Sequence, residues 1–238
     1  KRKPKDDDEE ETLLSLVVNQ LEGQGWPAHK VWLPPLDEPF SLDQLLLHGL
    51  GEGGRLVTGP RGLNVADSRV HGRLQTPVGL IDRPRQQRRD PLWLDFSGAG
   101  GNLAVAGGPQ AGKSTALRTA MMSLALTHTP QEVGFYALDF GGGAMMSLRD
   151  APHVGSVCGR LDEDRVKRTV AEMNSLVAAR EREFLDLGVE SMRAYRRGRA
   201  DGSIRPDRFP TDVFLIIDGW QTLKDDFTAL EATITQIA

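Results

Sequence analysis

Asn102-Leu-Ala-Val-Ala-Gly-Gly-Pro-Gln-Ala-Gly-Lys-Ser-Thr115 decides how this chain is read. Within it, Gly107 to Ser114 fits G-x-x-x-x-G-K-[ST] at every position, the pattern of a loop that holds phosphates with its backbone. Leu103 to Ala106 is a short apolar run that reads as a buried strand, and beyond the loop Leu117, Ala120, Met121, Leu124 and Ala125 recur at helical spacing. Strand, loop and helix in that order suit the chemistry, because the N–H groups of a tight turn and the positive end of the helix dipole converge on phosphate oxygens. Gly107 and Gly112 remove Cβ atoms that would block close approach, and Gly108, Pro109, Gln110 and Ala111 complete the loop. Lys113 is placed to reach the β- and γ-phosphates, and the Ser114 hydroxyl to ligate magnesium, with Thr115 behind it on the helix. The expected ligand is ATP with Mg.

Composition narrows the class. With 238 residues, 39% hydrophobic and 26% charged, the chain can bury a core and reads as globular. A net charge of -4 gives no global reason to expect nucleic acid. The single cysteine, Cys158, excludes an internal disulfide and suits a reducing compartment as a small buried residue. Five histidines without further cysteines make no zinc spacing. No apolar run approaches the ~20 residues of a membrane helix. Lys1-Arg-Lys-Pro-Lys5 has no apolar segment behind it, so it does not read as a secretory signal, and the absence of an initiator methionine suggests a piece of something longer.

Lys1 to Glu11 pairs a basic run with an acidic one, which is linker composition. From Thr12 the pattern is amphipathic through Leu21, and Gly23 and Gly25 end the predicted helix. Trp26 to Pro39 is rich in proline and is expected to be ordered by docking, with Trp26 and Trp32 as anchors. Ser41 caps a short helix carrying Leu42, Leu45, Leu46 and Leu47. Gly49 to Gly72 is weakly periodic and fits either a long loop or small strands. Strands are predicted over Val78–Asp82 and Leu92–Phe96, with a polar connector between them, so the nucleotide-binding domain is expected to begin near Pro77. After the loop helix, Val133 to Asp139 is a strand, and the strand–helix–strand succession implies a right-handed crossover in a parallel sheet. Asp162 opens a long helix with Val166, Val170, Met173, Val177, Phe184 and Leu187 as its buried stripe, closed by Gly188. Ser191 starts another with Met192 and Tyr195 inward, and Arg196 to Phe209 reads as a basic loop.

Val213-Phe-Leu-Ile-Ile-Asp218 is a continuous apolar run ending in an acid, which is how a central parallel strand looks. Downstream of a phosphate loop this is the Walker-B arrangement, with Asp218 holding Mg directly or through water. Hydrolysis also needs a group that polarises water, and many such motors place a glutamate right after this aspartate. Here Gly219 stands in that position, so the residues support binding ATP better than splitting it. Asp139 lies on the same rim, where it either contacts Mg or water indirectly or caps the glycine turn behind it.

From about Pro77 onward the chain resembles the FtsK/SpoIIIE-type P-loop translocases, in the phosphate loop and in the helical pattern of Ala171 to Tyr195. Trp26–Pro39, Asp82-Arg-Pro84, Leu138–Gly143, Pro152-His-Val-Gly155 and Asp218-Gly-Trp220 are similar to the EccC-type ATPases of type VII (ESX) secretion. The resemblance implies an α/β fold: a P-loop NTPase core of the RecA/FtsK kind, with a mainly parallel central sheet flanked by helices. Residues 1–76 would be a linker and N-terminal extension, the tail of a preceding module, and 77–238 the ATPase domain, short of its last strands. It further implies tandem ATPase modules able to assemble as a ring, in the cytoplasmic part of a membrane-associated secretion complex. Its export substrates would be small helical-hairpin proteins. Gly219 would then mark a module with degenerate catalytic machinery, a regulatory or structural ATP-binding unit. DNA translocation is the remaining alternative, favoured by Arg193, Arg196, Arg197, Arg199, Arg205 and Arg208 and opposed by the acidic total charge.

Overall fold

In the computed structural model, the described residues are 12–26, 28, 31–36, 39–60, 62–98 and 101–237. The expected linker Lys1–Glu11 lies outside them. The elements in chain order are α1 (Leu13–Leu21), α2 (Leu42–Leu50), β1 (Leu56–Gly59), β2 (Gly62–Val65), β3 (Gln75–Arg83), β4 (Arg88–Asp95), α3 (Lys113–Ala125) and β5 (Val133–Asp139). They continue with β6 (Val154–Gly159), α4 (Glu163–Leu187), α5 (Met192–Asp201), β7 (Asp212–Asp218), α6 (Trp220–Asp226) and α7 (Thr228–Ile237).

The centre is a three-stranded parallel sheet ordered β6-β5-β7. Alternation along the strands gives it two apolar faces. Val133, Phe135, Ala137 and Val157, with Phe214 and Ile216, pack against Met121 and Leu124 of α3 and against Leu74 and Phe96. Leu138 and Cys158, with Leu215 and Ile217, meet Val166 and Val170 of α4, Leu223 of α6, Ile234 of α7 and Phe227 at the junction of those two helices. The phosphate-loop helix therefore covers one face and α4 the other, as in a doubly covered parallel sheet. Two antiparallel hairpins, β1–β2 and β3–β4, stand apart from this sheet.

The N-terminal part is stitched to the end of α3. Leu46 and Val65 pack on Leu126, and the Val65 N–H donates to the Leu126 carbonyl at 2.9 Å. The Leu74 N–H donates to Nε2 of buried His128 at 3.1 Å. An accepting Nε2 puts the ring proton on Nδ1, which lies 3.0 Å from the Leu124 carbonyl. Burial pushes the His128 pKa below its ordinary value.

Several expectations are corrected. Leu103 to Ala106 forms no strand: the run has no ladder partner, and Leu103 and Val105 are 42% and 37% exposed. Trp26 and Trp32, the expected anchors of the proline-rich segment, cover little of this chain, being 99% and 70% exposed. Instead the Arg89 guanidinium donates to the Pro34 carbonyl. In α4 the buried stripe is Val166, Thr169, Val170, Met173 and Leu176, while Val177 and Leu187 are exposed. Once the helix passes the sheet its apolar side has nothing left to cover. Gly49 to Gly72 contains the β1–β2 hairpin and short 3-10 turns. Strand β6, whose glycines and half-buried residues hide its pattern, was not predicted.

The basic stretch is mostly helical through Asp201, and its arginines are committed internally. Arg196 makes a bidentate pair with Asp212 at 2.8–3.0 Å. Arg199 donates to Asp207, Tyr195 and the Phe209 carbonyl, and Arg208 pairs with Glu172. Tyr195 is fully buried, as expected; its hydroxyl donates to Glu183 at 3.0 Å while the Arg180 guanidinium lies 4.6 Å from its ring. Arg180 in turn donates to the Pro210 and Thr211 carbonyls at 2.8 Å, which fixes the chain where it enters β7.

Candidate nucleotide-binding site

The loop that precedes α3 is built by local backbone geometry. Gly112 is the helix N-cap at φ 83°, a left-handed conformation that favours glycine, and Gln110 shares that region at φ 56°. The Ala111 N–H closes a turn on the Gly108 carbonyl at 3.3 Å, and the Ala116 N–H starts the helix on the Gly112 carbonyl at 2.8 Å. Residues 102–110 are exposed, so the loop faces solvent, and Ser114 is half-buried in the first helical turn. Lys113 folds back over the loop, its Nζ donating to the Gly107 and Gly108 carbonyls at 2.9 and 2.6 Å. The ammonium thus sits over the glycines, where an arriving phosphate would compete with those two carbonyls for it.

Across the sheet rim, Asp139 and Asp218 are register partners at the carboxyl ends of β5 and β7. Both are buried, yet their environments differ. Asp139 accepts from the Gly143 and Met145 N–H groups at 3.1 and 2.7 Å, so its carboxylate caps the glycine turn. Asp218 is 5% exposed, and its Oδ2 is buried with no hydrogen-bond partner. An unpaired buried carboxylate oxygen is costly, and a bound cation is the common remedy. Gly141 roofs this carboxylate so closely that a Cβ there would fall 2.5 Å from Oδ2. The Phe140 N–H donates to the Asp218 carbonyl at 2.8 Å, and α3 packs against β7, the strand that ends in Asp218.

A model of the FtsK/SpoIIIE family matches residues 68–233. The chain belongs to the FtsK/SpoIIIE family. The ESX secretion system protein EccC of Thermomonospora curvata is 53% identical over 228 residues, a stretch covering 96% of this chain and 17% of that protein. The ESX-4 secretion system protein EccC4 of Mycobacterium tuberculosis is 45% identical over 227 residues, covering 95% and 17% respectively. Among solved structures, the cytoplasmic domain of the Thermomonospora curvata type VII secretion ATPase EccC superposes with a TM-score of 0.87 at 53% identity, over 97% of this chain and 26% of that one. Thermomonospora curvata EccC (ATPases 2 and 3), in complex with a signal sequence peptide, superposes with a TM-score of 0.79 at 54% identity, covering 87% and 36%. This chain therefore spans about a sixth of the length of the first two relatives. The fold is that of a P-loop ATPase, as the sequence implied, and membership in this family carries nucleotide binding with it. No helix among the described residues is long and apolar enough to cross a membrane.

The contribution of Phe140 and Gly141 was not read from the sequence. The run Gly141-Gly142-Gly143 announces a turn, but nothing in it tells which carboxylate that turn will cover.

Proposed function

We propose that this chain is an ATP-binding module of a type VII protein secretion motor, coupling nucleotide occupancy to export of small helical proteins. Gly107, Gly108, Pro109, Gln110, Ala111, Gly112, Lys113, Ser114 and Thr115 would hold the phosphates. Ser114 and Asp218 would hold Mg, which when bound neutralises phosphate charge. The buried Oδ2 of Asp218, which has no hydrogen-bond partner, supports this reading, since a buried carboxylate oxygen without a donor suits a cation. Residues 1–76 would join the module to a preceding one and 77–238 would form the ATPase domain, on the cytoplasmic side of a membrane-associated complex. The relative solved as ATPases 2 and 3 with a signal sequence peptide supports neighbouring modules and an export-signal partner. Ring assembly is part of the same proposal.

A second reading is a regulatory module in which ATP is a structural ligand, and Gly219 favours it. DNA translocation loses support because Arg196, Arg199 and Arg208 already neutralise carboxylates of this chain. The test is a titration with Mg-ATP. Lys113→Ala should lose a charge-assisted contact worth about 1.5–3 kcal/mol, or more than tenfold in affinity. Equal affinity in wild type and variant would overturn the site.

A further inference from the structure

The turn between β3 and β4 presents a positive tip on a chain whose net charge is -4. Arg83, Arg85, Arg88 and Arg89 stand there against only Asp82 and Asp90, which leaves two positive charges in surplus. Asp90 is shared by Arg83 at 2.6 Å and Arg88 at 3.1 Å, while Asp82 lies 4.0 Å from Arg89. Arg85 is exposed and has no ion pair or hydrogen bond among the described residues. The tip is pre-formed: Gln87 takes a left-handed φ of 49°, and its N–H and Nε2 both donate to the Pro84 carbonyl, at 3.2 and 2.7 Å. The Arg89 guanidinium holds the Pro34 carbonyl against the hairpin, and Trp32 lies beside the turn. Trp32, Arg83, Pro84, Arg85 and Gln86 line an open groove of about 520 Å³. Ring and proline walls with guanidinium groups along them suit an extended segment bearing carboxylates.

We propose that this groove is the docking site of the chain's own acidic run, Asp6-Asp-Asp-Glu-Glu-Glu11, which straps the N-terminal segment across the β3–β4 tip. The strap needs no bound nucleotide. Charge selects the occupant: these six acids form the densest acidic run in the sequence, and the groove carries arginines that the two aspartates of the hairpin do not neutralise. Reach permits it. Helix α1 spans about 14 Å and the ten residues from Glu22 to Val31 extend up to about 35 Å, so the run before Thr12 can double back to the groove beside Trp32. α1 buries none of its residues, so packing of that helix does not commit the run to another place. A single exposed ion pair contributes little, but several carboxylates against a cluster of guanidinium groups act together. Because salt shortens the range of exposed charges, the strap holds the chain entering α1 at the hairpin at low ionic strength and releases it at high.

The experiment uses the full chain carrying Arg85→Lys, which keeps the charge and supplies an amine, treated with a carbodiimide that joins amines to carboxylates in direct contact. A mixture of isotope-labelled and unlabelled copies separates joins within one chain from joins between copies. Position 85 should join to Asp6–Glu11 within one chain at about 50 mM salt, and the yield should fall about fivefold or more at about 0.5 M. A join to Asp82 or Asp90 alone would overturn the proposal and leave the groove to another molecule. A join only to the acidic run of a second copy would overturn it too, by making the tip a contact between chains. Hydrogen exchange reads the same contact without crosslinking. The amides of 85–88 should exchange about threefold faster when Asp6, Asp7 and Asp8 are changed to Asn and Glu9, Glu10 and Glu11 to Gln, and Arg85→Glu alone should give a similar rate. Arg85 is exposed, so Arg85→Glu should melt within about 1–2 °C of wild type and remain folded for this comparison. Exchange unchanged in both variants would overturn the strap.

Discussion

Strand β5 and the run Leu103–Ala106 flank helix α3 in sequence and are of similar apolar character, yet their environments are opposite. β5 pairs on both edges and buries Val133, Phe135, Ala137 and Leu138 almost completely. Leu103–Ala106 has no ladder on either edge and leaves its side chains in contact with solvent. β7 falls between them, paired with β5 on one edge only, and Val213 to Ile217 are half-buried. Across these three runs, burial rises with the number of paired edges. An apolar run becomes a strand where neighbours accept its backbone bonds, because unpaired backbone groups cannot be withdrawn from water cheaply. Apolar composition is permissive and pairing is decisive.

The sharpest way to break this comparison is by truncation. Phe135→Ala should cost about 3–5 kcal/mol, read as a lowered urea midpoint at unchanged slope. Leu103→Ala, at a partly exposed site, should stay within about 0.5 kcal/mol. Equal losses would mean that the two runs are equally structured. Hydrogen exchange sharpens the same contrast without mutation. The amides of β5 should open only with the whole domain, whereas those of 103–106 should exchange orders of magnitude faster.

Tyr195→Phe tests how firmly the entry to β7 is fixed. Losing the hydroxyl leaves Glu183 and Arg199 without their shared partner and should cost about 1–2 kcal/mol. The smallest effect concerns pH. His128 has a folded-state pKa depressed below its ordinary 6.5 by burial, so the unfolded chain takes up the proton first. Its contribution is fully present above about pH 6.5 and declines as the pH falls through the folded value. The melting temperature should fall with acidification over that window, and His128→Leu should flatten the slope. An equal slope in that variant would show that other groups govern it.

Much of the core was legible. Val133–Asp139 coincides with β5, the helix after the phosphate loop begins at Lys113, and Ser191 caps α5 by accepting from the Ala194 N–H. These succeed because period, cap and turn residues all point one way. Strand β6 escaped because Val-Gly-Ser-Val-Cys-Gly buries only Val157 and Cys158 and has no clean alternation. Where Trp26 and Trp32 would dock is not legible either, since size and apolarity say how much a side chain would gain from a surface, not where that surface is, and both are exposed in this chain.

The sequence by itself determined the phosphate loop, the parallel strands that end in Asp139 and Asp218, and the family to which they belong, because each depends on local patterns or on near neighbours in the chain. Only the tertiary structure decided what the two acids do. Asp139 is spent on the Gly143 and Met145 N–H groups, Asp218 keeps an oxygen free under Gly141, and Gly219 is pressed against Phe140. Those assignments arise where the ends of β5 and β7 meet, some eighty residues apart along the chain, and no local pattern encodes a contact of that range.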